Sequence, residues 1–417
     1  MKIGVIADDF TGATDAASFM VKSGLSVIQV SGVEAISQPL PKTKAIVVSL
    51  KTRSCDKALA ISQSLQACDW LINQGCKQIY FKYCSTFDST AEGNIGPVTQ
   101  ALMKRMGVKS TILCPALPVN GRTVYQGNLF VYQDLLSESG MKNHPITPMT
   151  DSNVMRLMSL QTGQKAGLVN WQDIQKGEQH SSSLLDSLST QGCVFIVCDA
   201  LNSNDLDVIA QLCKDHRLVT GGSGLAGALA GLQGRDLLEK GTGCRVPNRK
   251  NTGVVLSGSC SLMTNQQVAT YQKLAASYKV DVDRCVQDED YADVIEEWVL
   301  NQTKQRYYPM IYATVGNEEL KEIQCRHGAG VSDKVEALFH QLVVRLHKQG
   351  YQNFISAGGE TSGTVTQSLE INQFRVGVEI APGVPWVSSL DGNINLALKS
   401  GNFGNENFFR EAQDILL

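Results

Sequence analysis

Short apolar runs that end in small or polar turns, each followed by a segment of helical periodicity, recur along this chain from its first residues to its last. No other feature constrains the fold as strongly. A strand buried on both faces reads as a continuous apolar run, and two parallel strands need a long crossover, which a helix supplies. Strands are expected at Ile3 to Ala7, Ser26 to Val30, Ala45 to Ser49, Gln78 to Lys82, Thr111 to Pro115, Val194 to Cys198 and Leu218 to Thr220. Helices are expected at Ala13 to Ser23, Lys57 to Asn73, Ile95 to Met106, Leu184 to Leu188, Leu206 to Cys213 and Leu225 to Leu232. Gln233 to Gly253 then breaks the pattern with glycines and basic residues, as a linker does.

The alternation restarts beyond it. Strands are expected at Val254 to Leu256, Met310 to Thr314, Asn353 to Ser356, near Arg375 to Ile380 and at Asn395 to Lys399. Helices fit Thr264 to Ser277, Asp293 to Asn301, Lys334 to Lys348 and Thr361 to Leu369. The expected fold is α/β with two domains, residues 1–235 and 250–417, each a mostly parallel sheet with flanking helices. A length of 417 residues is enough for each to bury a core.

Charge and cysteine usage narrow the function classes. A formal net charge of -3 gives no reason to invoke nucleic acid or an anionic membrane as partner. Asp8 and Asp9 cut the first apolar run too short for a signal peptide, and no run reaches membrane-spanning length. The 12 cysteines lie scattered in apolar runs (Cys84, Cys114, Cys193, Cys198, Cys260), so reduced thiols in a cytoplasmic protein are expected.

Ligands of open parallel sheets bind at the carboxyl ends of strands. In the second half those ends are Ser257-Gly258-Ser259, Ala357-Gly358-Gly359-Glu360-Thr361 and Ser400-Gly401-Asn402, all small, hydroxylic or glycine apart from Glu360 and Asn402. The middle loop, SAGGETSG, joins a strand to a helix whose first amides and dipole suit an anion. Together the loops suit a nucleotide held mainly by backbone donors and hydroxyls. Glu360 could steer Mg²⁺ through water or simply favour the helix N-terminus.

The strand ends of the first half carry different chemistry. Asp8 and Asp9 precede the turn Phe10-Thr11-Gly12, Arg53 follows the third strand, and Lys82 ends the fourth ahead of Asp88, Ser89 and Thr90. Asn120, Arg122 and Gln126 lie in the segment after the fifth strand. Cations for a carboxylate and carboxylates for hydroxyls suit a small polyhydroxylated acid. Asp8 and Asp9 are equally legible as helix caps, and NGR around Arg122 as a turn. The six histidines are scattered without metal spacing.

Gly222-Ser223-Gly224-Leu225-Ala226-Gly227 matches the dinucleotide fingerprint, which keeps an NAD-dependent dehydrogenase as an alternative. The match ends a domain instead of opening one, and helix packing explains it equally well. A non-catalytic sugar-acid sensor is a second alternative. No G-x-x-x-x-G-K-[ST], H-E-x-x-H or G-x-S-x-G occurs.

IADDFTGATDAA, KYCSTFDSTAEGNIGP, PALPVNGRTVYQGNLFV, NHPITPM, TGGSGLAGAL, SGSCSLMTNQQV, SAGGETSG, APGVPW and LALKSGNFG together resemble the four-carbon acid sugar kinases over essentially the whole chain. The resemblance implies ATP- and Mg²⁺-dependent phosphorylation of the terminal hydroxyl of a four-carbon sugar acid, a 3-oxo-tetronate first and D-threonate or D-erythronate as alternatives. It implies an active site in the interdomain cleft, with the sugar acid on the N-terminal domain and the nucleotide on the C-terminal one. By position it gives Ser257, Gly258, Gly358, Gly359, Glu360, Thr361 and Gly401 as ATP contacts, Asp8, Arg53 and Lys82 as substrate contacts, and Asp9 or Asp88 as the base. Metal ligands are not specified, and a homo-oligomer remains open.

Overall fold

The computed structural model describes residues 2–33, 40–144, 147–238, 247–248, 252–302, 305–328 and 330–416. The chain forms two compact units, Met1–Gly243 and Cys244–Leu417.

The first unit runs β1 (Ile3–Ala7), α1 (Phe10–Lys22), β2 (Val27–Ser31), β3 (Ala45–Ser49), α2 (Lys57–Asn73), β4 (Gln78–Lys82), α3 (Ile95–Met106) and β5 (Thr111–Cys114). A small antiparallel meander follows, β6 (Arg122–Tyr125), β7 (Asn128–Val131) and β8 (Asp134–Leu135). The unit continues with α4 (Val154–Thr162), β9 (Ala166–Val169), α5 (Trp171–Gln175), α6 (Glu178–Thr190), β10 (Phe195–Cys198), α7 (Ser203–Cys213), β11 (Leu218–Gly221) and α8 (Ser223–Leu238). Its main sheet is ordered β2-β3-β1-β4-β11-β5-β10-β9, and every printed pairing within it is parallel. β1, β3, β4, β5, β10 and β11 are buried at every position, the expected mark of strands covered by helices on both faces.

The second unit runs β12 (Gly253–Ser257), α9 (Leu262–Tyr271), β13 (Ser277–Lys279), α10 (Val282–Gln287), α11 (Tyr291–Leu300), β14 (Met310–Tyr312), α12 (Asn317–His327), α13 (Val331–Lys348), β15 (Asn353–Ala357), α14 (Gly359–Ser368), β16 (Gln373–Ala381), β17 (Val384–Ser389), β18 (Asn395–Lys399) and α15 (Phe408–Asp414). The strand order is β13-β14-β12-β15-β18-β17-β16, parallel from β13 to β18 and antiparallel from β18 through β17 to β16. Tyr271, Trp386, Phe408 and Phe409 form part of its core, and the Trp386 indole donates to the Ala412 carbonyl at 2.9 Å.

Several expectations need adjustment. Phe10-Thr11-Gly12 is the first turn of α1, not a loop before it, because Asp9 caps the helix one residue earlier. Gln233 to Leu238 continues α8 and Gly253 opens β12; most of the linker between them lies outside the described residues. The helix placed at Thr264 to Ser277 stops at Tyr271, and Ser277 starts an edge strand. The meander and β17 were not anticipated: their alternation is masked by turns and by full burial, respectively. Cys84 and Cys260 are half-buried, not core; among the described residues every cysteine is a free thiol. Among these residues no helix is long and apolar enough to cross a membrane.

Candidate functional site

In the first unit β1 lies between β3 and β4, and the chain goes from β1 out past β3 to β2 and then back across β1 to β4; in the second unit β12 lies between β14 and β15 in the same way. Both candidate clusters lie at these switch points, beyond the carboxyl ends of the strands.

In the first unit Ala7 stands opposite Ser49 and Lys82, so the segments leaving β1, β3 and β4 meet. The amides of Thr52 and Arg53 both donate to the Asp8 carbonyl, at 2.9 and 3.2 Å, folding the third loop back over the first. Arg53 then grips Asp8 through two parallel bonds of 3.0 Å from Nε and Nη2. Its Nη2 also lies 2.9 Å from Asp9 Oδ1, and its Nη1 3.6 Å from Asp88 Oδ2. One guanidinium therefore ties together three carboxylates from two other loops.

Asp9 combines the two roles that its sequence left open. Its Oδ1 accepts from the Gly12 amide at 2.7 Å and caps α1. A Cβ on Gly12 would stand 2.4 Å from that oxygen and 2.7 Å from Lys82 Nζ, so glycine is what lets the cation and the carboxylate flank the turn. Lys82 is buried and donates to the Tyr83 carbonyl at 2.9 Å. Desolvation pushes the Asp9 pKa up, Asp8 pushes it further, and Arg53 and Lys82 pull against both without cancelling them. Burial alone would lower the Arg53 pKa, but the Asp8 carboxylate outweighs it and keeps the guanidinium charged. Asp9 is thus a stronger proton acceptor than an ordinary aspartate.

Asp88 is the less accessible carboxylate, its side chain 10% exposed against 30% for Asp9. Its Oδ1 accepts from Thr86 Oγ1 at 2.7 Å. Asn94, which the sequence did not single out, donates to the carbonyls of Thr52 and Cys55 at 2.9 Å each and pins the Arg53 loop. Asp8, Thr52, Arg53, Asp88, Ser89 and Asn94 share one small crevice. Arg122 is engaged elsewhere: it donates to the Asn120 carbonyl and lies 5.5 Å from the centre of the Tyr132 ring. The backbone amides of Gln126 and Gly127 donate to buried Asp199, at 2.7 and 2.9 Å, anchoring the meander to the end of β10.

In the second unit β12, β15 and β18 are neighbours, and their three loops touch. Gly258 and Ser259 donate to the Ala357 carbonyl at 3.0 and 3.1 Å, and Gly358 donates to the Lys399 carbonyl at 2.9 Å. These amides close the loops on one another, so Gly258 and Gly358 serve by shape and not by donating to an anion. Gly358 has φ +131° and ψ 141°, a conformation closed to residues with a Cβ, and a Cβ on Gly258 would lie 2.3 Å from Thr361 Oγ1. A Cβ on Gly401 would meet Ser259 Oγ at 2.6 Å and Ser261 Oγ at 2.9 Å. Ser257 is buried, with its hydroxyl 2.6 Å from Thr314 Oγ1.

At the β15 loop the donors that remain are the first amides of α14, at Gly359, Glu360 and Thr361, where Gly359 and Glu360 are exposed. Glu336 on α13 was not foreseen. It accepts from Thr361 Oγ1 at 2.8 Å and Thr364 Oγ1 at 2.7 Å and so fixes the first turn of α14. Burial raises its pKa, the two hydroxyls oppose the shift, and Glu360 adds to it. Nothing in its own helix marks it, since one acidic residue on a long amphipathic helix reads as a solvated face. Among the described residues no three metal-type side chains gather as a cage. Glu360 and Glu336 are carboxylates at the loop, a donor set that fits a magnesium ion carried largely by phosphate oxygens and water.

The glycines of the dinucleotide-like match have a packing explanation. Cβ atoms would lie 2.6 Å from the Pro115 carbonyl oxygen at Gly222, 2.9 Å from that of Ala116 at Gly224, and 3.1 Å from Phe19 Cβ at Gly227. α8 therefore sits directly on its neighbours through bare backbone.

A family profile described as the sugar-binding N-terminal domain matches residues 3–229, and one described as the nucleotide-binding C-terminal domain matches residues 254–409. The chain is 52% identical over 417 residues to a 3-oxo-tetronate kinase of Salmonella typhimurium, covering 99% of each. It is 50% identical over 420 residues to a 3-oxo-tetronate kinase of Pectobacterium atrosepticum, again covering 99% of each. A Haemophilus influenzae crystal structure, 49% identical, aligns with a TM-score of 0.91 over 99% of this chain and 100% of that one.

Proposed function

The chain belongs to the four-carbon acid sugar kinase family, and on that premise we propose that it transfers the γ-phosphoryl group of ATP to the 4-hydroxyl of a 3-oxo-tetronate, giving the 4-phosphate and ADP. What supports the assignment is the division of chemistry between the two strand-end clusters. One carries a guanidinium, a buried lysine and a carboxylate of raised pKa; the other carries glycine-shaped loops and open helix amides. The first suits a hydroxylated acid and the second a nucleotide phosphate.

Phosphoryl transfer needs alignment and charge neutralisation more than covalent help from the protein. Arg53 and Lys82 supply positive charge for the sugar acid's carboxylate. Asp9 accepts the proton of the 4-hydroxyl as its oxygen attacks the γ-phosphorus, and the bond from that phosphorus to the bridging oxygen of ADP breaks. Asp8 orients Arg53, and Asp88 balances it from the other side. The α14 amides take phosphate oxygens, and Glu360 would be the carboxylate to hold a magnesium ion through water, which would supply charge neutralisation for the phosphates. Transfer requires hydroxyl and phosphorus to be held in line with water excluded.

A coupled ADP-release assay against 3-oxo-tetronates, threonates and erythronates tests the proposal. Fastest turnover is expected on a 3-oxo-tetronate; turnover on none of them would refute the kinase assignment.

A further inference from the structure

Among the described residues two strands end in a buried lysine, β4 in Lys82 and β18 in Lys399. Lys82 lies in the carboxylate cluster, but Lys399 pairs with no acidic side chain among the described residues. It is 1% exposed, and its three protons go to Thr264 Oγ1 at 3.1 Å, the Ser400 carbonyl at 3.1 Å and the Gly401 carbonyl at 2.9 Å. Thr264 Oγ1 in turn donates to the Gly401 carbonyl at 2.7 Å. Across a planar trans peptide, C=O and N–H point to opposite sides. Holding the carbonyls of Ser400 and Gly401 inward therefore turns the N–H groups of Gly401 and Asn402 outward, and neither donates to a protein group among the described residues.

We propose that Lys399 is a positioning residue for the nucleotide, its buried ammonium holding two loop carbonyls inward so that the amides of Gly401 and Asn402 are presented to a phosphate. The inference rests on assigning ATP to the β12, β15 and β18 loops. Nζ also lies 5.9 Å from the centre of the Phe408 ring on α15. Among the described residues no charged group offsets the desolvation of Nζ. Burial lowers the Lys399 pKa to about 7, so the third donor is lost as pH rises above neutrality.

The test is Lys399→Met in the full chain, with ATP and sugar acid varied separately and ADP binding measured by calorimetry. Losing two well-aimed phosphate donors should raise KM for ATP and Kd for ADP about tenfold or more, with KM for the sugar acid unchanged and kcat nearly so. In the wild type KM for ATP should rise between pH 7 and pH 9, and in the variant it should stay flat, a difference that a purely structural role would not produce. If Lys399→Met does not accumulate folded, Thr264→Val decides, with a smaller rise of the same sign. Unchanged ATP affinity in the deciding variant overturns the inference.

Gly359→Ala separates the two levels, because its Cβ would meet no protein atom within 4 Å yet would intrude where the α14 amides open. If it weakens ATP binding while Lys399→Met does not, the inference alone fails. If neither variant affects ATP, the nucleotide assignment fails with it.

Discussion

Replacing Arg53 with methionine removes the one group that ties Asp8, Asp9 and Asp88 together. Asp8 loses both of its 3.0 Å partners while its side chain remains only 6% exposed. Removing one partner of a buried ion pair costs about 3–5 kcal/mol; since Arg53 keeps 25% of its side chain in water, the lower end, about 3 kcal/mol, applies. For a unit of this size, about 2–4 °C per kcal/mol gives a fall in Tm of roughly 6–12 °C at pH 7. Arg53 is also a group that pulls the Asp9 pKa down, so its loss leaves desolvation and Asp8 to push Asp9 further up. A carboxyl with a raised folded pKa binds more protons folded than unfolded between the ordinary and raised values, so its contribution to stability falls as pH rises through that window. The deficit of Arg53→Met should therefore shrink toward pH 5. Differential scanning calorimetry at pH 5 and 7 measures it. A Tm change under about 2 °C at pH 7, or a deficit that grows on acidification, would refute the reasoning.

Asp9→Asn should lower kcat by roughly 10²- to 10⁴-fold while ATP binding is retained, measured by ADP release and calorimetry; near-normal kcat would transfer the base role away from Asp9. The wild-type kcat should rise with pH through a midpoint above the ordinary aspartate range, because the base must be deprotonated and its pKa is raised. Gly401→Ala should raise KM for ATP and leave KM for the sugar acid alone, since its Cβ would press on Ser259 and Ser261 hydroxyls. Gly224→Ala should destabilise the first unit by about 1–3 kcal/mol in urea unfolding through overpacking; ATP affinity should not change, and no NAD(H)-dependent thermal shift should appear in either form.

Much of the scaffold was legible because burial on both faces writes itself into local sequence. IGVIA, QIYFK and NLALK can be little other than covered strands, and the strand-end rule then drew attention to Asp9, Arg53, Lys82 and the glycine loops. The meander β6–β8 escaped because short strands with turns every few residues lack a clean period, and β17 escaped because burial at every position removes its alternation. Glu336 escaped because its partners, Thr361 and Thr364, lie 25 and 28 residues away on another helix. Lys399 escaped although it carries the same sign as Lys82, a cation closing an apolar run; without the tertiary structure nothing showed that it turns inward.

The sequence alone determined the α/β class, the strand ends, the family motifs and the residue types available for chemistry, because these depend on periodicity and on what the backbone permits within a few residues. The tertiary structure decided their assignments. Arg53 reaches Asp8 across 45 residues because β1 and β3 pair in register, and the amides of Gly258, Ser259 and Gly358 are taken by neighbouring loops. Which donors and charges stay available is a property of strand neighbours distant in the chain, and local sequence does not encode distance across a sheet.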